Sequence, residues 1–348
     1  HLGYEAITFE VSKFRPPFLC PPLKGRGRAR GEALDEASRS SLGELEQLLE
    51  VEGRRTAAVV IEPLVQGAAG IWPQPPSFVA GVRELCDRYG VLMVCDEVAT
   101  GFGRSATMFA VEQAGVAPDL MCLAKGITGG YLPLAATLTT ESIYQAFEGA
   151  YSDYRTLFHG HTYGGNPLGC AAAIANLEVF AKEKTLEKAA AGAEALDELL
   201  SAYIEPLTHA GPPRRVGMMA GFDLLRDPAR GLGYPVDERR GHRAVAAARE
   251  EGVIIRPLGD TMVLMPPLAM PAELIEQAVA VTARAVDLAT GEKGGKPRMG
   301  EKYIASRGSA PASSEKPPPC SPDHVLHAHP ENLPLASRLL ITGTDTGV

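Results

Sequence analysis

The chain has 348 residues, 45% of them hydrophobic, and a formal net charge of −8. That length and apolar content fill the core of one large or two ordinary domains. The acidic balance offers no basic surface for nucleic acid, and no apolar run approaches the roughly 18 residues of a membrane helix, so neither is expected as a partner.

The opening "HLGYEAITFEVSKF" carries neither an initiator Met nor a signal-peptide pattern, so a fragment of a cytoplasmic protein is expected. After a Pro- and Arg-rich opening, residues 57–174 alternate short β-branched runs with amphipathic stretches. "AAVVIEP" (57–63) predicts a strand, "PSFVAGVRELCDRYG" (76–90) a helix closed by Gly90, and "VLMVCDE" (91–97) the next strand. "DLMCLAK" (119–125) and "LPLAATLTT" (132–140) predict further strands. Continuous apolar strands separated by helices argue for an α/β fold with a mostly parallel sheet covered on both faces.

From "NPLGCAAAIANLEVF" (166–180) a long helical region runs to about residue 203. "RRVGMMAGFDLL" (214–225), a helix near 241–251, "GVIIRPLG" (252–259), "MVLMPPL" (262–268) and a helix from 271 to 289 then predict a smaller α+β C-terminal domain. Residues 291–335, rich in Pro, Lys, Ser and Glu, read as a disordered linker, and "SRLLITGTDTGV" begins a new strand and turn. Cysteines stand at 20, 86, 95, 122, 170 and 320 with no C-x-x-C pair, as small core residues of a reduced compartment do.

Ligands of an open parallel sheet collect outside the carboxyl ends of its strands. Asp96 closes one predicted strand and Lys125 another, and their separation of 29 positions suits one crossover helix with its loops. Both therefore face one site. A lysine stripped of water there is a nucleophilic amine able to form a Schiff base with an aldehyde. Pyridoxal phosphate needs such a lysine, and a carboxylate to keep its pyridine nitrogen protonated. The same residues also fit plainer roles: Asp96 with Glu97 as Walker B-type carboxylates, although no Gly-Lys-Ser/Thr loop precedes them, or as a helix cap, and Lys125 as a solvated loop residue. His159 and His161 stand as an i, i+2 pair without a third ligand signature, and no metal site is expected.

"CDEVATGFGRS" (95–105), "LAKGITGG" (123–130) and "HGHTYGGNPLGCAAAIANLEVF" (159–180), in this order and spacing, resemble the class III, fold-type I aminotransferases that use pyridoxal 5'-phosphate. The resemblance covers roughly residues 40–290. It implies a fold-type I transferase with a large cofactor-binding domain over 1–180, truncated at its N-terminus, and a small C-terminal domain over 181–290. Within the class, "AKGITGGYLPLAATLTT" and "FHGHTYGGNPLGCAAA" are most similar to the branch of biotin biosynthesis that aminates 8-amino-7-oxononanoate to 7,8-diaminononanoate. The usual amino donor there is S-adenosylmethionine, and lysine in some members. Other ω-aminotransferases, acting on ornithine or 4-aminobutyrate, share the pattern, and a non-catalytic α/β scaffold would keep the fold alone.

Residue by residue, the resemblance implies that Lys125 is the Schiff-base lysine and catalytic base, that Asp96 partners the pyridine nitrogen, and that Val98 packs on the ring face. Thr162 matches a threonine that binds the cofactor phosphate from the neighbouring subunit of a homodimer, with His161 beside it and Gly160 near the substrate. Arg256 matches the arginine that grips the carboxylate of the keto substrate through its planar fork. Glu62 and Gln66, at another strand end, line the same site. The family's Gly-Ser/Ala phosphate loop and its Tyr-His-Gly stacking motif have no match in the chain. "LLITGTDTGV" resembles the start of dethiobiotin synthetase, so 336–348 reads as the beginning of a truncated P-loop domain in a fused pair of enzymes.

Overall fold

A computed structural model describes residues 11–18, 28–291 and 338–342. In chain order the elements are β1 (Val11–Phe14), α1 (Arg28–Glu52), β2 (Thr56–Ile61), a short hairpin of β3 (Val65–Gln66) and β4 (Trp72–Pro73), α2 (Pro76–Tyr89), β5 (Leu92–Asp96), α3 (Val111–Ala114) and β6 (Leu120–Leu123). They continue as β7 (Ala136–Thr139), α4 (Glu141–Gln145), α5 (Pro167–Glu183), α6 (Thr185–Leu199), β8 (Arg214–Val216), β9 (Met219–Asp223), β10 (Leu225–Asp227), β11 (Leu232–Gly233), α7 (Arg240–Glu250), β12 (Arg256–Leu258), β13 (Thr261–Leu264), α8 (Ala272–Thr290) and β14 (Arg338–Thr342).

The large sheet has the order β1-β14-β2-β5-β6-β7. All its pairings are parallel except the last, where β7 runs antiparallel to β6 at the edge. Helix α2 shows why its sequence folds there. Pro76 starts it at a position whose missing N–H costs nothing, and Phe78, Val79, Val82, Leu85 and Cys86 put one apolar face on the sheet. Gly90 ends it at φ 67°, a left-handed turn in which its N–H returns to the carbonyls of Asp87 and Cys86. Burial raises the Cys86 thiol to about 12, as expected of an inert core residue. The described cysteines, Cys86, Cys95, Cys122 and Cys170, are all free.

A second core belongs to the four-stranded antiparallel sheet β12-β13-β9-β8. Phe222 and Met262 on its strands pack against Leu196 of α6 and Ile275, Val279 and Val286 of α8.

Several expectations need correction. Helix α1 was not expected: its charged first half lacks a clear apolar stripe, and its buried anchors are Ser38, Ser41, Leu45 and Leu49. The helical run after residue 166 is two helices, parted at Lys184 by a left-handed residue of φ 52°. "RRVGMMAGFDLL" is a hairpin of β8 and β9 plus β10, because Gly217 turns the chain at φ 55°. The apolar run 338–342 becomes β14 and pairs with both β1 and β2. Most of the Pro-rich stretch and of the final Gly-Thr turn lies outside the described residues. Among the described residues no helix is long and apolar enough to cross a membrane, and no group of three or more His, Cys, Asp or Glu side chains is placed to hold a metal ion.

Candidate active site

Strands β2, β5 and β6 are parallel neighbours, so their carboxyl ends share one edge of the sheet. The register sets Ile61 beside Cys95 and Asp96 beside Cys122. Glu62 thus emerges next to Asp96, and Lys125 follows three residues beyond Asp96's strand partner. The Glu62 carboxyl feels both: burial is the chief cause raising it above the ordinary 4.5, the Gly67 N–H opposes this, Asp96 adds to the rise and Lys125 lowers it. The three groups therefore stand in one electrostatic neighbourhood.

Lys125 does not close β6, as the apolar run suggested. It opens a 3₁₀ turn, Lys125–Thr128, with φ 42°, a backbone region costly for any residue with a Cβ. The turn is held from two sides. Asn176 on α5 donates to the carbonyls of Gly126 (2.9 Å) and Ile127 (3.2 Å). A Cβ on Gly126 would lie 2.9 Å from Phe102 Cβ, so the absent side chain is what lets the turn pack there.

The turn after β5 is held from beneath. Glu97 is fully buried; its Oε1 accepts the Val111 N–H at 2.9 Å, its Oε2 accepts the Thr100 hydroxyl, and its carbonyl accepts Gly101 N–H at 2.9 Å. Burial raises its carboxyl above the ordinary range against those hydrogen bonds. Asp96 Oδ1 accepts the Val98 N–H at 3.0 Å, which orients the carboxylate and places Val98 half-buried on the following turn.

A cavity of about 720 Å³ opens at this edge. Gly67, Ala68 and Ile71 of the β3–β4 hairpin, Ala99 and Lys125 of the turns after β5 and β6, Arg256, Ile254, Met265 and Pro266 on and beside the small sheet, and Leu274 of α8 line it. The structure thus brings Lys125 and Arg256 to one mostly apolar space, but both side chains are exposed, so Lys125 is not stripped of water as the sequence suggested: its turn lies at the open edge of the sheet. Asp96, Val98, Glu62 and Gln66 are not in the cavity wall: Gln66 is buried in the hairpin, and Glu62 binds the hairpin's Gly67 N–H at 2.9 Å. Gly160, His161 and Thr162 lie apart, on an exposed loop where His161 Nδ1 accepts the Tyr163 N–H at 3.2 Å. The sequence reading missed Glu97 as the buried staple and the apolar wall of Ile254, Met265 and Leu274. The acidic pair "DE" was the available signal for the first. Runs such as "GVII" and "VLMPP", which hold most of the second, read only as strands.

The donor set suits a flat aromatic aldehyde. An amine stands just beyond the end of β6 and a carboxylate closes the neighbouring β5, while the small residues Gly67, Ala68 and Ala99 leave part of the cavity wall free of bulky side chains.

A profile of the class III aminotransferases matches residues 11–286. The chain belongs to this family. The adenosylmethionine-8-amino-7-oxononanoate aminotransferase of Nitratidesulfovibrio vulgaris is 55% identical over 253 residues, 73% of this chain and 46% of that protein. Its namesake from Anoxybacillus flavithermus is 44% identical over 296 residues, 84% of this chain and 63% of that protein. The crystal structure of the Methanocaldococcus jannaschii protein of the same name superposes with a TM-score of 0.69 at 37% identity, covering 71% of this chain and 57% of that one. The chain spans about half the length of the curated relatives it matches. Class III aminotransferases are pyridoxal phosphate-dependent, and the large parallel sheet with its strand-end lysine is this chain's share of their fold-type I architecture.

Proposed function

We propose that this chain is the lysine-bearing part of an enzyme that transfers an amino group to 8-amino-7-oxononanoate, giving 7,8-diaminononanoate, with S-adenosylmethionine as donor. The observation that carries it is the shared cavity: an amine, Lys125, and a guanidinium, Arg256, joined by an apolar wall. A keto acid whose carboxylate is separated from its reacting carbon by an aliphatic chain matches that order of groups. Residues 1–180 act as the cofactor-binding part and 181–290 as the part that closes over the substrate.

Bound pyridoxal phosphate would supply an aldehyde to tether and a protonated ring to withdraw electrons. Lys125 Nζ would hold that aldehyde, and once released it is the group placed to take and return the proton at the substrate carbon bearing the nitrogen. The Asp96 carboxylate would hold the proton on the ring nitrogen, Val98 would pack on the ring face, and Arg256 would orient the acceptor by its carboxylate. Ile254, Met265 and Leu274, exposed in this chain, would offer apolar surface to the chain between.

Gly160, His161 and Thr162 serve the site of a second copy in this reading, which makes the enzyme a homodimer. Its support is the apolar side chains of the same stretch of chain: Tyr131, Tyr151, Tyr154, Phe158, Tyr163 and Leu168 are all exposed, and exposed aromatic groups of this kind are common at interfaces.

The test uses the full-length protein with pyridoxal phosphate. The visible absorption of bound cofactor should be lost on borohydride treatment as the cofactor becomes fixed to Lys125, and Lys125→Ala should show no such fixation. Equal fixation to the variant overturns the assignment of Lys125. Brisk turnover of 4-aminobutyrate with none of the oxononanoate would move the substrate reading to another ω-aminotransferase.

A further inference from the structure

Two arginines, Arg214 buried and Arg104 half-buried, bridge the place where the two sheets meet, and the reading above uses neither. Arg214, the first residue of β8, is the largest fully buried side chain described, 1% exposed. It forks onto Asp223 of β9, Nη1 to Oδ2 at 2.5 Å and Nη2 to Oδ1 at 2.9 Å, and Thr261 Oγ1 donates to the same carboxylate at 2.6 Å. Its other donors leave the small sheet. Nη2 reaches the Gly70 carbonyl at 2.8 Å and Nε the Ile71 carbonyl at 3.2 Å, while the guanidinium lies 4.0 Å from the centre of the Trp72 ring.

Arg104 makes the reverse crossing. From the loop after β5 its Nη1 donates to the carbonyl of Pro266, beyond β13, at 2.6 Å. Its own carbonyl accepts the Met218 N–H of the β8–β9 turn at 2.9 Å. Gly217 permits that approach, since a Cβ there would stand 2.4 Å from the Arg104 oxygen.

Each arginine holds the backbone of a cavity wall. Ile71, with Gly67 and Ala68, belongs to the wall on the Lys125 side, and Pro266, with Met265, to the wall on the Arg256 side. The hairpin gripped by Arg214 is not set by its own preferences, because Leu64 and Ile71 sit at φ 64° and 57°, where β-branched and bulky side chains are strained. The buried charge of Arg214 is paired with Asp223 and hydrogen-bonded across the junction, and its planar fork meets several acceptors at once where an ammonium cannot.

We propose that Arg214 and Arg104 form a reciprocal clasp that sets the span between Lys125 and Arg256, and so selects the keto acid by the number of carbons between its carboxylate and its carbonyl. Both are positioning residues. The inference rests on the reading of Arg256 as the carboxylate holder.

The experiment compares the full-length enzyme with Arg214→Lys, Arg104→Lys and Arg256→Ala on a series of keto acids lengthened one methylene at a time. In the wild type KM passes through a sharp minimum at one length. In each clasp variant KM for that acid rises about tenfold with kcat little changed, while KM for its neighbours in the series moves less, so the minimum flattens. Borohydride fixation of cofactor to Lys125 stays intact. Hydrogen exchange, read on the same proteins, speeds up at the amides of 67–72 and Gln74 in Arg214→Lys and of Leu264, Met265 and Leu268 in Arg104→Lys. Thr261→Val, which removes one hydrogen bond to Asp223 and keeps the arginine, shifts the profile in the same direction by less and serves if a lysine variant does not fold. An unchanged length profile in the clasp variants, with Arg256→Ala impaired on every acid, overturns the clasp alone. Turnover indifferent to Arg256→Ala overturns the Arg256 reading and the clasp with it.

Discussion

The turn that carries Lys125 and the stretch from Tyr131 to Leu168 adjoin in sequence and are held in opposite ways. The turn is braced by Asn176 and by Phe102 against Gly126, and the neighbouring turn after β5 by the buried carboxylate of Glu97. The stretch that follows exposes its rings, Tyr151 by 94%, and pairs them with one another, Tyr151 with Tyr154 at 6.2 Å and His161 with Tyr163 at 5.9 Å. The contrast separates two kinds of site residue. Lys125 and Asp96 are positioned by contacts within the chain, whereas Gly160, His161 and Thr162 sit on a surface whose apolar groups the described residues leave uncovered.

The largest expected effect breaks the second region. Replacing Tyr151 and Phe158 with Asp in the full-length protein removes two aromatic groups from the proposed dimer face. At about 2 kcal/mol each, that raises the dimer dissociation constant roughly a thousandfold. Light scattering after size exclusion should show monomer; an unchanged dimer would place the interface elsewhere.

Changes within the first region should cost stability and leave assembly alone. Glu97→Ala strands the Val111 N–H and the Thr100 hydroxyl in a buried place, a loss of about 2–4 kcal/mol. Denaturant unfolding measures it, and a loss below 1 kcal/mol would mean that water replaces the carboxylate. Asn176→Ala frees two carbonyls of the lysine turn at a cost of about 1–2 kcal/mol. It should also weaken cofactor retention, because Lys125 is then held in its left-handed conformation by packing alone.

The smallest effect is a pH dependence. Glu62 has its folded-state value raised by burial, so the stability it contributes is complete below the ordinary carboxylate value of 4.5 and is lost as pH rises through the raised one. Glu62→Gln suffers no such loss and keeps an acceptor for Gly67. Its melting temperature should exceed that of the wild type increasingly from acid to neutral pH, and a constant difference would show that Glu62 keeps its usual titration.

How much of this was legible beforehand follows from what each kind of interaction encodes locally. Helix α2 was readable from Pro76, Gly90 and the spacing of its apolar face, and strands β2, β5 and β6 from continuous apolar runs, because periodicity and capping act over a few residues. Counting along those strands was enough to bring Asp96 and Lys125 to one sheet edge. Helix α1 escaped because its apolar pattern is weak: of its buried residues Ser38, Ser41, Leu45 and Leu49, two are polar.

Arginine and glutamate in a sequence read as surface residues. The acidic pair at 96–97 is the one hint of Glu97, and nothing near Arg104 or Arg214 marks the partial burial of the first or the full burial of the second. Their state depends on carbonyls and amides supplied by segments that meet only after folding, Gly70 and Ile71 for Arg214, Pro266 for Arg104, Val111 for Glu97. The sequence alone determined the α/β layering and the chemistry available at the strand ends, since both rest on local order. The tertiary structure decided which charges are buried and that Lys125 and Arg256 share a cavity, because desolvation and span are properties of surfaces brought together from distant parts of the chain.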